Sequence, residues 1–181
     1  ETREVRAMMA KELPARPVEV QLQANGNLQA LEVKDLQVKV PGLLLADGEA
    51  MLWNVADDLS LKAKMDMKDV HGASVQLDGG YVMASEAYQA DVVVNRLVVN
   101  HYVPMEEHTV ISGKASARGR GFDFLSPTTV MDASVRLSNA RMGKMDLSNM
   151  DAEASLKGSQ LALDLTCHND QLQTAFTFDG E

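Results

Sequence analysis

Apolar and polar residues alternate one for one along most of this chain, the pattern of strands with one wet and one apolar side. Val18, Val20, Leu22 and Ala24 alternate with Glu19, Gln21 and Gln23. Leu59, Leu61, Ala63, Met65 and Met67 alternate with Ser60, Lys62, Lys64 and Asp66. Met131, Ala133, Val135 and Leu137 do so against Asp132, Ser134 and Arg136, and Leu161, Leu163, Leu165 and Cys167 repeat it near the end. Such one-sided strands are the habit of antiparallel sheets. Turn chemistry falls between the runs. Asn25-Gly26 predicts a tight hairpin that needs positive φ, and Asp47-Gly48, Asp78-Gly79-Gly80, Lys157-Gly158-Ser159 and His168-Asn169-Asp170 predict further turns. Only residues 1–13 read as helical, with Val5, Met8, Met9 and Leu13 at helical spacing and Pro14 and Pro17 to stop it. The expectation is an all-β chain: a short N-terminal helix over 1–13, then ten to twelve strands in an antiparallel meander over 18–178. The Pro- and Gly-containing stretches near Val40–Gly42 and Ser126–Thr128 are too short to be linkers, so 1–181 reads as a single β-rich unit. A sheet apolar on one side must hide that side in a sandwich, a barrel, or a groove that something else fills. The alternation is identical for all three.

Composition narrows the function classes. The 181 residues are 45% hydrophobic and 24% charged, with 17 Lys+Arg against 26 Asp+Glu and a net charge of -9. That argues against a nucleic-acid binder, whose affinity rests on neutralising phosphates, and against electrostatic attachment to anionic lipid. Aromatic residues are only 4% while Met alone contributes 11, so the apolar side is built from Leu, Val, Ala and Met. Methionine is flexible; filler of irregular gaps is the favoured reading of these residues, and an adaptable apolar surface is the functional alternative. The single cysteine, Cys167, rules out an internal disulfide framework and a Cys-rich zinc site. Apolar stretches such as Leu43–Ala46 and Val92–Val94 fall far short of the ~20 residues needed to span a membrane. With no signal peptide at its start, the chain reads as a segment of a longer protein.

Catalytic and metal motifs are sparse. Gly113–Gly121 is glycine-rich but matches neither the P-loop nor the dinucleotide fingerprint, and reads as a strand that bends. Glu106-Glu107-His108 offers three potential ligands in a row, but adjacent strand residues face opposite sides and no second histidine follows at i+2 or i+4, so a solvated loop is expected. Cys167-His168 meets the same objection, and Asp57-Asp58 reads as a turn. No Gly-x-Ser-x-Gly elbow occurs. The expectation is a protein that is not an enzyme and takes no cofactor or metal.

The second half resembles a known family. The stretch Asn95-Arg96-Leu97-Val98-Val99-Asn100-His101-Tyr102-Val103-Pro104 resembles the strand and proline-containing corner that recur in AsmA-like envelope proteins. Val110 to Phe124 is similar to the segment that follows in TamB-type members, as is the ending His168-Asn169-Asp170-Gln171-Leu172 with Phe176 and Gly180. The resemblance covers roughly residues 90 to 181. It implies a periplasm-spanning protein of the translocation and assembly module class, anchored in the inner membrane through regions outside this segment. It further implies a β-taco whose apolar concave side, a hydrophobic groove, carries phospholipid acyl chains between membranes. Support of outer-membrane biogenesis, with an outer-membrane β-barrel assembly partner for the full-length protein, follows from the same likeness. Burial of lipid tails at about 0.8 kcal/mol per CH₂ would drive binding without regard to tail identity. The groove candidates are Leu59, Leu61, Met65, Met67, Met131, Val135, Leu137, Leu161, Leu163 and Leu165. A competing expectation is a structural or assembly module that binds client β-strands through exposed sheet edges.

Overall fold

The computed structural model describes residues 17–123 and 126–180, and the helix expected over 1–13 lies outside the described residues. Twelve strands follow one another: β1 (Glu19–Gly26), β2 (Ala30–Val40), β3 (Leu44–Trp53), β4 (Ser60–Asp69), β5 (Ser74–Val82), β6 (Ala87–Val98), β7 (Thr109–Arg120), β8 (Val130–Met142), β9 (Met145–Asp146), β10 (Met150–Lys157), β11 (Gln160–His168) and β12 (Gln173–Gly180). They form one antiparallel sheet in sequence order, with the two-residue β9 hanging off β8 so that β10 pairs with β8 directly. The helical content among the described residues is two 3-10 turns, Met83–Ser85 and Val99–His101. The fold is all-β, as the alternation requires.

The sheet is open and single-layered. β1 and β12 end the path without pairing to each other, so it is not a barrel. A sandwich would sequester large aliphatic side chains completely. Here the largest fully buried side chains are Thr129 and Cys167, and the buried hydrophobic residues are Ala46, Ala73, Ala140, Leu156 and Cys167. The accessible surface is 12800 Å², against about 8,600 Å² for a compact monomer of 19.7 kDa.

Several turns sit elsewhere than the dipeptides suggest. The β1–β2 hairpin does not turn on Asn25-Gly26; those residues pair with Glu32 and Leu31, and the chain reverses after Asn27. The Asn27 side-chain oxygen accepts the N–H groups of Gln29 (2.8 Å) and Ala30 (3.1 Å) there, an Asx device that needs no positive φ at the central residues. Asp47-Gly48 and Asp78-Gly79-Gly80 lie inside β3 and β5. Gly48 is there for space rather than turning: an added Cβ would come within 2.7 Å of the Lys64 carbonyl oxygen. Lys157-Gly158-Ser159 and His168-Asn169-Asp170 do connect strands, β10 to β11 and β11 to β12.

Bulges shift the alternation in three strands. One extra residue in β2 between Val33 and Leu36 puts Asp35 at φ 50, and one in β6 between Val94 and Leu97 puts Arg96 at φ 49. The Arg96 backbone N–H is met there by Ser112 Oγ at 2.8 Å. A third bulge places Ser138 of β8 between the partners of Ser112 and Gly113.

Candidate functional site

Residues directly opposite on antiparallel strands share a side of the sheet, and successive residues along a strand change sides. The register therefore sorts the sheet into rows that run across the strands. One row reads Leu36, Gly48, Met65, Leu77, Val92, Ala115, Val135, Ala152, Leu165 and Phe176. Its neighbour on the same side reads Val33, Ala50, Ala63, Gly79, Ala90, Ala117, Ala133, Ala154, Leu163 and Phe178. The row between them, on the opposite side, reads Glu49, Lys64, Asp78, Asp91, Ser116, Ser134, Glu153 and Asp164.

The second row is a line of small residues from Ala50 to Ala154, seven strands across. At about 4.8 Å per strand it runs roughly 29 Å. Bulkier rows flank it: the one just described, and one that reads Leu52, Leu61, Tyr81, Tyr88, Gly119, Met131, Leu156 and Leu161.

The sequence candidates fall on these rows. Leu61, Met65 and Met67 of β4, Met131, Val135 and Leu137 of β8, and Leu161, Leu163 and Leu165 of β11 occupy one side by register, and Leu59 precedes β4 with the parity of Leu61. Val135 and Leu161 are each 38% exposed. Sequence reading missed the contributions of β2, β5, β6, β10 and β12, among them Leu36, Leu77, Val92, Ala152 and Phe176. Alternation within β5 (Val75, Leu77) and β6 (Val92, Val94) carries the same signal, while the bulges at Asp35 and Arg96 hide its continuation.

Tyr81, Tyr88, Phe122, Phe176 and Phe178 sit at the perimeter. Tyr81 and Tyr88 are register partners near one strand end, where Phe122 stacks on Tyr88 (centroids 4.9 Å) and leans on Tyr81 (5.8 Å). Phe176 and Phe178 stand on the edge strand, 53% and 45% exposed.

The corner after β6 folds back at the other strand end. Val99 and Val103 lie there over Leu44, Met67, Val75 and Leu97, around an apolar hollow of about 320 Å³. The Tyr102 hydroxyl donates to Asp69 Oδ2 at 3.0 Å, tying the corner to the β4–β5 turn. Asp69 Oδ1 accepts the N–H groups of His71 (2.8 Å) and Ala73 (2.7 Å). Burial pushes the Asp69 carboxyl up, but those hydrogen bonds and the His71 charge outweigh it and hold it below the usual range. Burial, then the hydrogen bond to Asp69 and its charge, push the Tyr102 hydroxyl up to about 12.

The opposite side is charged. Its hollow of about 490 Å³ is lined by Asp91, Arg118, Asp132, Glu153 and Asp164 among others. Arg118 Nε lies 3.9 Å from Asp132, Arg136 is hydrogen-bonded to Asp151, and Ser116 and Ser134 hydroxyls are 2.8 Å apart. Among the described residues no group of three or more His, Cys, Asp or Glu is placed to hold a metal ion, and Glu106, Glu107 and His108 lie in an exposed loop. Among the described residues no helix is long and apolar enough to cross a membrane.

Comparisons with protein-family models, with curated proteins and with solved structures gave no significant match to this chain.

Proposed function

We propose that this chain is an internal segment of an AsmA/TamB-like envelope protein, and that the sheet side bearing the apolar rows curls into a taco-like groove for phospholipid acyl chains. One observation carries the reading: apolar register rows run across ten strands, and the described residues form a single open sheet. Their material suits the task, because Leu, Val, Ala and Met make a compliant lining and the aromatic rings of the described rows stand near strand ends or on the edge strand. The small-residue row adds a track of roughly 29 Å, close to the ~30 Å hydrocarbon thickness that two lipid tails fill end to end. Transport is by partition, so no bond need form or break. The periplasm is the compartment such a bridge implies, with outer-membrane biogenesis as its setting and the inner-membrane anchor outside this segment.

The test is lipid content after purification from a bacterial envelope. Wild-type chain is expected to carry phospholipid, read by mass spectrometry of an organic extract. Leu163→Arg, on the apolar row, should lose most of it with its circular dichroism unchanged. Thr166→Arg adds the same charge on the other side and should keep it. Equal lipid in the two variants, or none in the wild type, refutes the reading.

A second reading, an assembly module that takes a client β-strand, is favoured by the two edges. β1 is exposed along its whole length and β12 presents Phe176 and Phe178, each strand with one side of its backbone unpaired. Strand peptides that bind a lipid-free wild-type chain would support it.

A further inference from the structure

We infer that the hollow beneath the corner is a discrete binding site for the end of an alkyl chain, entered tail first. The inference rests on the groove reading for the source of its ligand, but its geometry stands apart from it. Elsewhere parts of the apolar rows stand open, as the exposed Val135 and Leu161 show. Here Met67, Val75, Leu44 and Leu97 form a floor, and Val99 and Val103 come over it from the corner, leaving about 320 Å³ unfilled. A group inserted there gains dispersion contacts on more than one side, which a flat sheet cannot provide.

The polar groups of the wall specify what is refused. Asp69 is occupied by the N–H groups of His71 and Ala73 and by the Tyr102 hydroxyl, which spends the hydroxyl proton as well. Lys68 belongs by register to the charged side, opposite Ser74 and Leu45. Apart from Lys68, which lines the hollow but whose side chain belongs by register to the other side, the lining offers no free side-chain donor, and its one carboxylate repels an anionic head. An elongated ligand is favoured over a compact one because Met67 and Val75 of the hollow belong to a longer apolar row. That row continues through Ala46, Met67, Val75, Val94, Gly113, Leu137 and Met150.

The experiment is a methyl NMR titration of the whole chain with three probes: dodecanoate, dodecylphosphocholine below its micelle concentration, and phosphocholine alone. Both alkyl probes should shift the methyls of Met67, Val75, Leu97, Val99 and Val103 saturably and before those of Val20, Val33 or Leu163. Phosphocholine should shift none of them. Val103→Trp, at a half-exposed corner position, fills the hollow and should weaken both alkyl probes at least tenfold. Shifts spread evenly over the sheet, or a response to phosphocholine alone, overturn the site, as does undiminished affinity in a folded Val103→Trp. Two results separate this site from the groove. Saturation by dodecanoate in a chain that carries no phospholipid leaves the site standing and refutes the groove. Phospholipid on the purified chain with no response at Met67 and Val99 refutes the site alone.

Discussion

Tyr102 holds the corner to the body of the sheet through one side-chain oxygen, and its titration reports whether that link is made. The phenol is raised to about 12 by burial first and by Asp69 second. Asp69→Asn removes the charge, so the Tyr102 value should fall toward the ordinary ~10 in a titration of phenolate absorbance. An unchanged value would mean that Asp69 is not its partner. The stability consequence follows from the sign of each shift. A hydroxyl that keeps its proton longer when folded stabilises fully below about 10, and that stabilisation is lost as pH climbs to about 12. The Asp69 carboxyl, held low when folded, stabilises above its unfolded value of about 4 and ceases to as pH falls through the lowered one. Denaturant midpoints against pH, compared with Asp69→Asn, check both limbs.

At the scale of strands and turns, the β11–β12 connection shows how much rests on one amide. Asn169 accepts the N–H groups of Gln171 (2.9 Å) and Leu172 (2.8 Å), and donates to the carbonyls of Asp146 and Ser148 (both 3.0 Å). Asn169→Ala should loosen β12, the edge strand, by about 1.4 kcal/mol or more, a tenfold faster amide exchange over Gln173–Gly180. Exchange in β4 should not change, and an equal change in both strands would show global rather than local loosening. The same elements explain what the sequence discloses. β4, β8 and β11 are legible because their candidate residues lie in uninterrupted alternation. β2 and β6 are not, because Asp35 and Arg96 each insert one residue and reverse the parity after them. Asp47-Gly48 and Asp78-Gly79-Gly80 mislead for another reason. Glycine after aspartate looks like a turn, but Gly48 answers to crowding from the neighbouring strand, which depends on register and leaves no local trace. The hollow under the corner was illegible likewise, since it joins residues from Leu44 to Val103 that only topology brings together.

For the whole molecule, a single open sheet among the described residues has a thermodynamic signature. A domain of this length that closed its apolar side would release it to water on unfolding, with a heat-capacity increase of about 12–15 cal/mol/K per residue. A sheet that already leaves 12800 Å² accessible should fall clearly below that range, and its denaturant slope should be shallow for its size. Calorimetry on the lipid-free chain tests this, and a value within the ordinary range would indicate that the apolar rows are covered in solution. Cohesion in such a sheet comes from the hydrogen-bonded ladders and from cross-strand pairs rather than a central core. Surface ion pairs such as Lys64–Asp78 (3.7 Å) and Lys39–Glu19 (3.4 Å) add little.

The strand path has eleven members, because β9 stands off it. Ten reversals separate β1 from β12, so the two free edges run in the same direction. Two copies laid side by side with their apolar rows facing the same way therefore join β12 to β1 only as a parallel pair. An antiparallel seam that keeps the rows continuous needs a two-fold axis normal to the sheet, and it matches β12 with β12 or β1 with β1. Parity alone thus makes each edge complementary to itself for an antiparallel seam, and the two edges complementary to each other only for a parallel one.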